Sequence, residues 1–275
     1  MRIPDEVRKC VVYLGLEESI GSTMQKKYRG TGFFVGIQST KIPGASYLYL
    51  VTAKHVATKL IGKTFYVRLN TTNGKSLDIP CNPSRWWFHP TDDAADVAIL
   101  PLGLDQQKFE FVAIPSEMFL TEVIRKLKGI GAGDEIFITG LFVHHKGNAK
   151  NIPIMRMGNI AMVPDERIPI TNFGDMEAYL IEARSIGGLS GSPVFVIEVV
   201  DPLDRRIHLL GLIQGHWDVK PETIIDEATE DSETRAGVNV GIAIVTPASK
   251  ILEIINCNEM QKLRDDLEAS QISKA

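Results

Sequence analysis

The chain reads as an all-β protein, a barrel or a sandwich. Apolar runs are short. They are separated by glycine, proline and polar turns in a sequence that holds 23 glycines and 14 prolines, and helical periodicity is rare before the C-terminal end. With 275 residues the chain can bury a sizeable core, as one large unit or as two barrels of ordinary size.

The elements follow in order. Strand 10–14 is carried by Val11-Val12-Tyr13, and strand 32–37 by Phe33-Phe34-Val35 between two glycines. Strand 47–52 ends in Leu50-Val51-Thr52, strand 64–69 alternates Phe65, Val67 and Leu69, and strand 97–102 opens with Val97-Ala98-Ile99-Leu100. These β-branched and aromatic runs suit a pleated, half-buried surface. A junction falls at 103–121, where Gly103-Leu104-Asp105-Gln106-Gln107 leads through an apolar patch to Pro115-Ser116-Glu117. Beyond it come strands 135–142, 155–163, 178–184, 193–200, 207–216 and 238–245. The fourth of these begins at Pro193, where a missing donor is tolerated. From Pro247 the pattern turns helical, with Ile251, Leu252, Ile254 and Ile255 on one side and Met260, Leu263 and Leu267 continuing it. We expect this helix to pack on its own barrel, a docking helix for a partner being the alternative. The expected division is 1–110, 111–257 and a helical tail over 258–275, together one functional unit.

Composition excludes several function classes. Lys plus Arg number 30 against 34 Asp plus Glu, a formal net charge of −4, with no basic block to track a phosphate backbone, so nucleic acid is not an expected partner. Three scattered cysteines, Cys10, Cys81 and Cys257, have neither zinc-ligand spacing nor an even count. No stretch approaches the roughly 18 apolar residues of a membrane span, and residues 1–9 carry no apolar signal core. The expectation is a cytoplasmic protein in a reducing compartment, without membrane contact. Residues 218–235 hold seven acidic residues against Lys220 and Arg235, which reads as a surface loop.

The chemistry lies in Gly187-Gly188-Leu189-Ser190-Gly191-Ser192-Pro193. A serine between glycines ahead of an apolar strand can face an oxyanion pocket, because a turn without side chains lets the amides of Gly188 and Ser190 point at developing negative charge. A serine hydroxyl needs a base and a group to orient that base. Thr52-Ala53-Lys54-His55 supplies a histidine directly after an apolar strand, and Asp96 opens the run 97–100, where a carboxylate can be buried and fixed. Asp92 and Asp93 compete for the orienting role but follow Pro90-Thr91 in a turn-like setting. His89, His144, His145, His208 and His216 lack the context of His55. Ser192 reads as a turn hydroxyl beside the Gly-x-Ser-Gly frame of Ser190. The expected triad is His55, Asp96 and Ser190, with oxyanion donors Gly188 and Ser190.

The sequence resembles the trypsin-like serine peptidases of the chymotrypsin clan, in particular their disulfide-free bacterial branch. The matching stretches, from about Gly30 to Ile255, are Gly30-Thr31-Gly32-Phe33-Phe34-Val35 with Leu50-Val51-Thr52-Ala53-Lys54-His55; His89-Pro90 with Asp96-Val97-Ala98-Ile99-Leu100; Gly133-Asp134-Glu135-Ile136; Gly188 to Pro193; Leu210-Gly211-Leu212-Ile213; and Asn239-Val240-Gly241-Ile242-Ala243-Ile244. The resemblance implies a chymotrypsin-like double six-stranded β-barrel with a C-terminal α-helix, endopeptidase action on a polypeptide substrate through an acyl-enzyme, and no metal or organic cofactor. It also implies that the pocket for the residue before the scissile bond is walled by the stretch ahead of Ser190 and by Gln214, Gly215 and His216. Arg184 falls at the base of that pocket, where with His216 it favours an acidic or polar side chain, or else ends its strand in solvent. Leu189 stands where secreted members carry an aspartate captured after zymogen cleavage, so that activation route is absent. A catalytically silent domain acting as a binding module, or one activated by a protein partner, is the competing expectation.

Overall fold

The computed structural model describes residues 2–82, 85–171, 173–183, 187–201, 204–219 and 238–272. The first half is an eight-stranded sheet of β1 (Val11–Ile20), β2 (Thr23–Gln38), β3 (Ser46–Thr52), β4 (Phe65–Asn70), β5 (Ser76–Cys81), β6 (Trp87–Phe88), β7 (Ala98–Leu102) and β8 (Ile114–Pro115). Its order is β5-β4-β1-β2-β3-β7-β6, with β8 pairing β2 in parallel. A short helix α1 (Lys54–Thr58) follows β3, and α2 (Glu122–Lys128) bridges to the second half.

That half comprises β9 (Glu135–Gly140), β10 (Ile154–Met162), a separate hairpin of β11 (Ile168–Ile170) and β12 (Gly174–Met176), then β13 (Tyr179–Glu182), β14 (Pro193–Val199), β15 (Arg205–Val219) and β16 (Val238–Pro247). Six of these strands close into a barrel in the order β10-β13-β16-β15-β14-β9. Two helices end the chain, α3 (Ala248–Ile255) and α4 (Asn258–Ile272). The all-β class, the closed six-stranded barrel and the C-terminal helix expected from the sequence are therefore present.

One apolar cluster joins the first sheet (Phe33, Phe34, Leu50, Val51, Ile99) to Phe137 and Phe195 of the barrel and to Ile251, Ile254 and Ile255 of α3. A second, with Ile136, Ile138, Val194, Val196 and Leu189, fills the barrel. The strands that frame the site are thus fixed from both sides by close packing.

Helix α4 packs on the protein differently from its apolar pattern. Leu263 and Leu267 are exposed, and the inward face holds Met260, Arg264 and Glu268. The Arg264 guanidinium donates to the Tyr49 hydroxyl (3.0 Å) and to the Ile255 carbonyl (2.6 Å), while Glu268 accepts from Ser39 Oγ (2.6 Å). These buried charges are satisfied, as burial requires. Another departure is the hairpin β1–β2, which runs far beyond the expected strands 10–14 and 32–37 and turns at Gly21, whose φ is 61°. Its outer part is braced by the Arg29–Glu18 pair (2.8 and 2.7 Å), with Leu16 and Tyr28 packing toward the core.

Candidate active site

His55 lies in the first turn of α1, directly after β3. Asp96 immediately precedes the buried pair Val97-Ala98 at the start of β7, the strand that pairs with β3 from Thr52–Ala98 to Leu48–Leu102. This register brings the two side chains together. Asp96 Oδ2 stands 2.7 Å from His55 Nδ1, and its Oδ1 accepts the His55 backbone N–H at 2.8 Å. The carboxylate is fully buried, the imidazole about one quarter exposed. With Nδ1 facing a carboxylate, the proton sits on Nδ1 and Nε2 is left as the basic nitrogen. The ring of Phe173, beside β12, meets the imidazole edge-on with centroids 6.1 Å apart.

The competing groups are engaged elsewhere. Asp92 pairs with Arg167 (2.9 Å) and faces Lys250, and Asp93 is exposed beside Lys54. The Arg167 guanidinium holds the Asp92 carboxyl below its ordinary pKa, against the opposing effect of burial. His89 bonds Glu253 (2.6 Å), and His208 bonds Glu198 (2.7 Å). His144, His145 and His216 are exposed.

Ser190 sits in the turn that leads to β14, and Thr31 of β2 holds that turn. The buried Thr31 donates its N–H to the Ser190 carbonyl (3.0 Å) and its Oγ1–H to the Gly188 carbonyl (2.7 Å), and Oγ1 accepts the Leu141 N–H (3.0 Å). Its own carbonyl accepts from Thr52 Oγ1 at 2.7 Å. From the barrel side, Gly191 donates to the Ile213 carbonyl (2.7 Å) and Ile213 to the Ser192 carbonyl (2.9 Å). Gly188 and Gly191 have φ of 97° and 82°, the region open to glycine. A Cβ on Gly191 would lie 2.2 Å from the Thr31 carbonyl oxygen, 2.4 Å from Thr52 Oγ1 and 3.0 Å from the Ala53 nitrogen. The turn is thus seated against the segment that leads into His55.

The Ser190 hydroxyl donates to the Gln214 carbonyl at 3.1 Å, and among the described residues it makes no hydrogen bond to His55. Gln214 is buried, Gly215 half-buried and His216 exposed along β15. Arg184 and residues 220–235 of the acidic segment lie outside the described residues. Ser192 departs from the expected turn hydroxyl: it is fully buried, its Oγ has no hydrogen-bond partner among the described residues, and it is packed against Gly140 of β9, whose added Cβ would fall 2.0 Å from it. Thr31 and Phe173 are neighbours of the site that the sequence does not announce. Thr31 stood within the Gly30-Thr31-Gly32 match without a role, and nothing in the sequence placed Phe173 near His55.

No family model and no curated protein matches the chain. Solved structures do. Deg5 matches with a TM-score of 0.50 at 16% identity, over 90% of this chain and 87% of that one. The HtrA-type protease AlgW with a decapeptide matches at 0.51 and 16% identity over 94% of this chain and 65% of that one, and an AlgW variant with a decapeptide at 0.50 and 14% over 90% and 62%. The chain therefore spans about two thirds of the length of the AlgW chains. At these identities the likeness establishes the fold, which is that of the trypsin-like serine proteases.

Proposed function

We propose that the protein is a serine endopeptidase of the disulfide-free trypsin-like kind, working in the cytoplasm on polypeptide substrates. Ser190 Oγ attacks the scissile carbonyl and passes its proton to His55 Nε2. Asp96 keeps the imidazole in the required tautomer and stabilises the imidazolium. The N–H groups of Gly188 and Ser190 take up the charge on the carbonyl oxygen, an effect of about 3 kcal/mol per donor. The imidazolium gives its proton to the leaving amine, and a water activated by His55 releases the acyl group from Ser190. Gln214, Gly215 and His216, with Arg184, receive the substrate residue before the scissile bond.

The observation that carries this reading is the buried Asp96 carboxylate bound twice to His55, at Nδ1 (2.7 Å) and at the backbone N–H (2.8 Å). A fully buried carboxylate spent on orienting one partly exposed imidazole serves catalysis better than it serves stability.

A second reading, a silent or partner-activated domain that acts as a binding module, is favoured by the Ser190 hydroxyl bonding the Gln214 carbonyl. Attack on a substrate requires that hydroxyl to rotate toward Nε2. Labelling with a fluorophosphonate decides between the two. Stoichiometric labelling of the wild type, lost in Ser190→Ala and strongly slowed in His55→Ala, is the expected result. A folded wild-type protein that does not label would overturn the endopeptidase reading in favour of a protein that waits for a partner.

A further inference from the structure

Beside the Gly187-Gly188 turn, and lined by none of Gln214, Gly215 and His216, lies a pocket of about 510 Å³ whose charged lining is basic among the described residues. One wall is the outer part of β2, with Lys26, Lys27 and Arg29, and the other is the segment after β9, with Lys146. Among the described residues, no carboxylate lines it. Two of the four cations are spoken for: Lys26 pairs with Asp78 (3.3 Å) and Arg29 with Glu18 (2.7 Å), both from outside the pocket. Lys27 and Lys146 have no ion-pair partner among the described residues. Lys27 exerts a weaker pull on Glu18, and Lys146 lies 5.8 Å from the centroid of the Tyr28 ring.

The pocket is a built one. The segment that presents Lys146 is tied to the first sheet by the buried Arg68, which donates to Asn151 Oδ1 (2.9 Å) and to the carbonyls of Gly147 and Asn148 (3.1 Å each). Asn151 answers by donating to the Arg68 carbonyl (2.7 Å), and Ile152 N–H bonds the Lys146 carbonyl (3.1 Å). The floor reaches the oxyanion turn, since a Cβ on Gly188 would stand 2.7 Å from Val143 and 3.0 Å from the Leu141 carbonyl oxygen.

We propose that this pocket binds Asp or Glu side chains of the substrate segment that follows the scissile bond. The inference rests on the endopeptidase reading, in which the residue before the bond lies against Gln214–His216, so that a chain crossing Ser190 leaves over Gly188 into the basic pocket. The ammonium groups of Lys27 and Lys146, without an ion-pair partner among the described residues, attract carboxylates and repel lysines on the departing segment.

Fluorescent octapeptides test it, identical up to a central bond and carrying either acidic residues or lysines after it. With Ser190→Ala full-length protein, the acidic peptide should bind about tenfold more tightly, and added salt should erode the difference. Lys27→Glu combined with Lys146→Glu should abolish or invert the preference, and Lys27→Gln with Lys146→Gln should reduce it, each variant first shown to melt cooperatively. Equal affinity for the two peptides, or a preference that survives charge reversal, would overturn the proposal. Cleavage of the same peptides by the wild type is read separately. A binding preference without Ser190-dependent cleavage would overturn the endopeptidase reading alone.

Discussion

Replacing Thr31 by valine keeps the shape of the side chain and removes one oxygen. That oxygen serves two buried backbone groups of the second half, the Gly188 carbonyl (2.7 Å) and the Leu141 N–H (3.0 Å). Each group left unsatisfied in a buried site costs about 1–3 kcal/mol, and valine restores none of it, since the swap exchanges a hydroxyl for a methyl. The two together give about 2–6 kcal/mol. In a chain of this size each kcal/mol lowers the melting midpoint by about 2–4 °C, so Thr31→Val should melt some 5–20 °C below the wild type. The same change loosens the turn that holds the Gly188 and Ser190 amides. Removing an oxyanion donor costs about 10²–10³ in rate, and a loosened cradle should slow fluorophosphonate labelling by roughly 10–100-fold. The exposed Thr72→Val, which loses a surface bond to the Gln107 carbonyl, is the control and should stay within about 0.5 kcal/mol. Denaturant unfolding and labelling rates measured on both variants check the reasoning. A Thr31→Val protein destabilised by less than about 1 kcal/mol and labelled at the wild-type rate would refute the claim that this hydroxyl holds the site.

Ser192→Ala removes a buried hydroxyl that has no partner among the described residues, so unfolding free energy should stay within about 1 kcal/mol of wild type and labelling at Ser190 should persist; loss of labelling would make Ser192 part of the chemistry. Acid acts on Asp92, whose folded pKa the Arg167 guanidinium depresses below the ordinary 3.8. The stability it contributes is therefore complete above that ordinary value and is lost as pH falls through the lowered one. The stability gap between wild type and Arg167→Gln should be constant from about pH 7 to 5 and narrow below about pH 4, as urea titrations at each pH will show.

The barrel strands and the candidate positions His55, Asp96 and Ser190 are legible in the sequence because both are written locally: a β-branched run, a glycine turn, a polar residue at a strand end. It concealed what depends on distant partners. Residues 15–31 are mostly polar, and their strand pairing is stabilised across the hairpin, where Glu17 stands opposite Lys26, and by Tyr66 reaching Glu17 (3.0 Å), so no sustained hydrophobic period marks them. Helix α2 was legible in principle, with Thr121 capping the Ile124 N–H, Glu122 in its first turn and Gly129 at its end, but it is short and sits in what reads as a junction. In α4 the apolar pattern pointed to Leu263 and Leu267, whereas Arg264 and Glu268 face inward because Tyr49 and Ser39 await them there. Thr31 is the sharpest case. Its importance comes entirely from what lies across the interface, and no pattern in its own neighbourhood could announce it.

Thr31 also decides when the protein becomes what it is. Three of the hydrogen bonds around the serine turn cross from the first sheet, so neither half owns the cradle. A chain with its first sheet melted lacks the hydrogen bonds that shape residues 188–190 and the placement of His55, and a chain emerging from the ribosome has Thr31 and His55 before it has Ser190. For a protein whose proposed work is cutting polypeptides, reactivity arrives together with complete folding. On that reading, a half-folded copy cannot cut its neighbours.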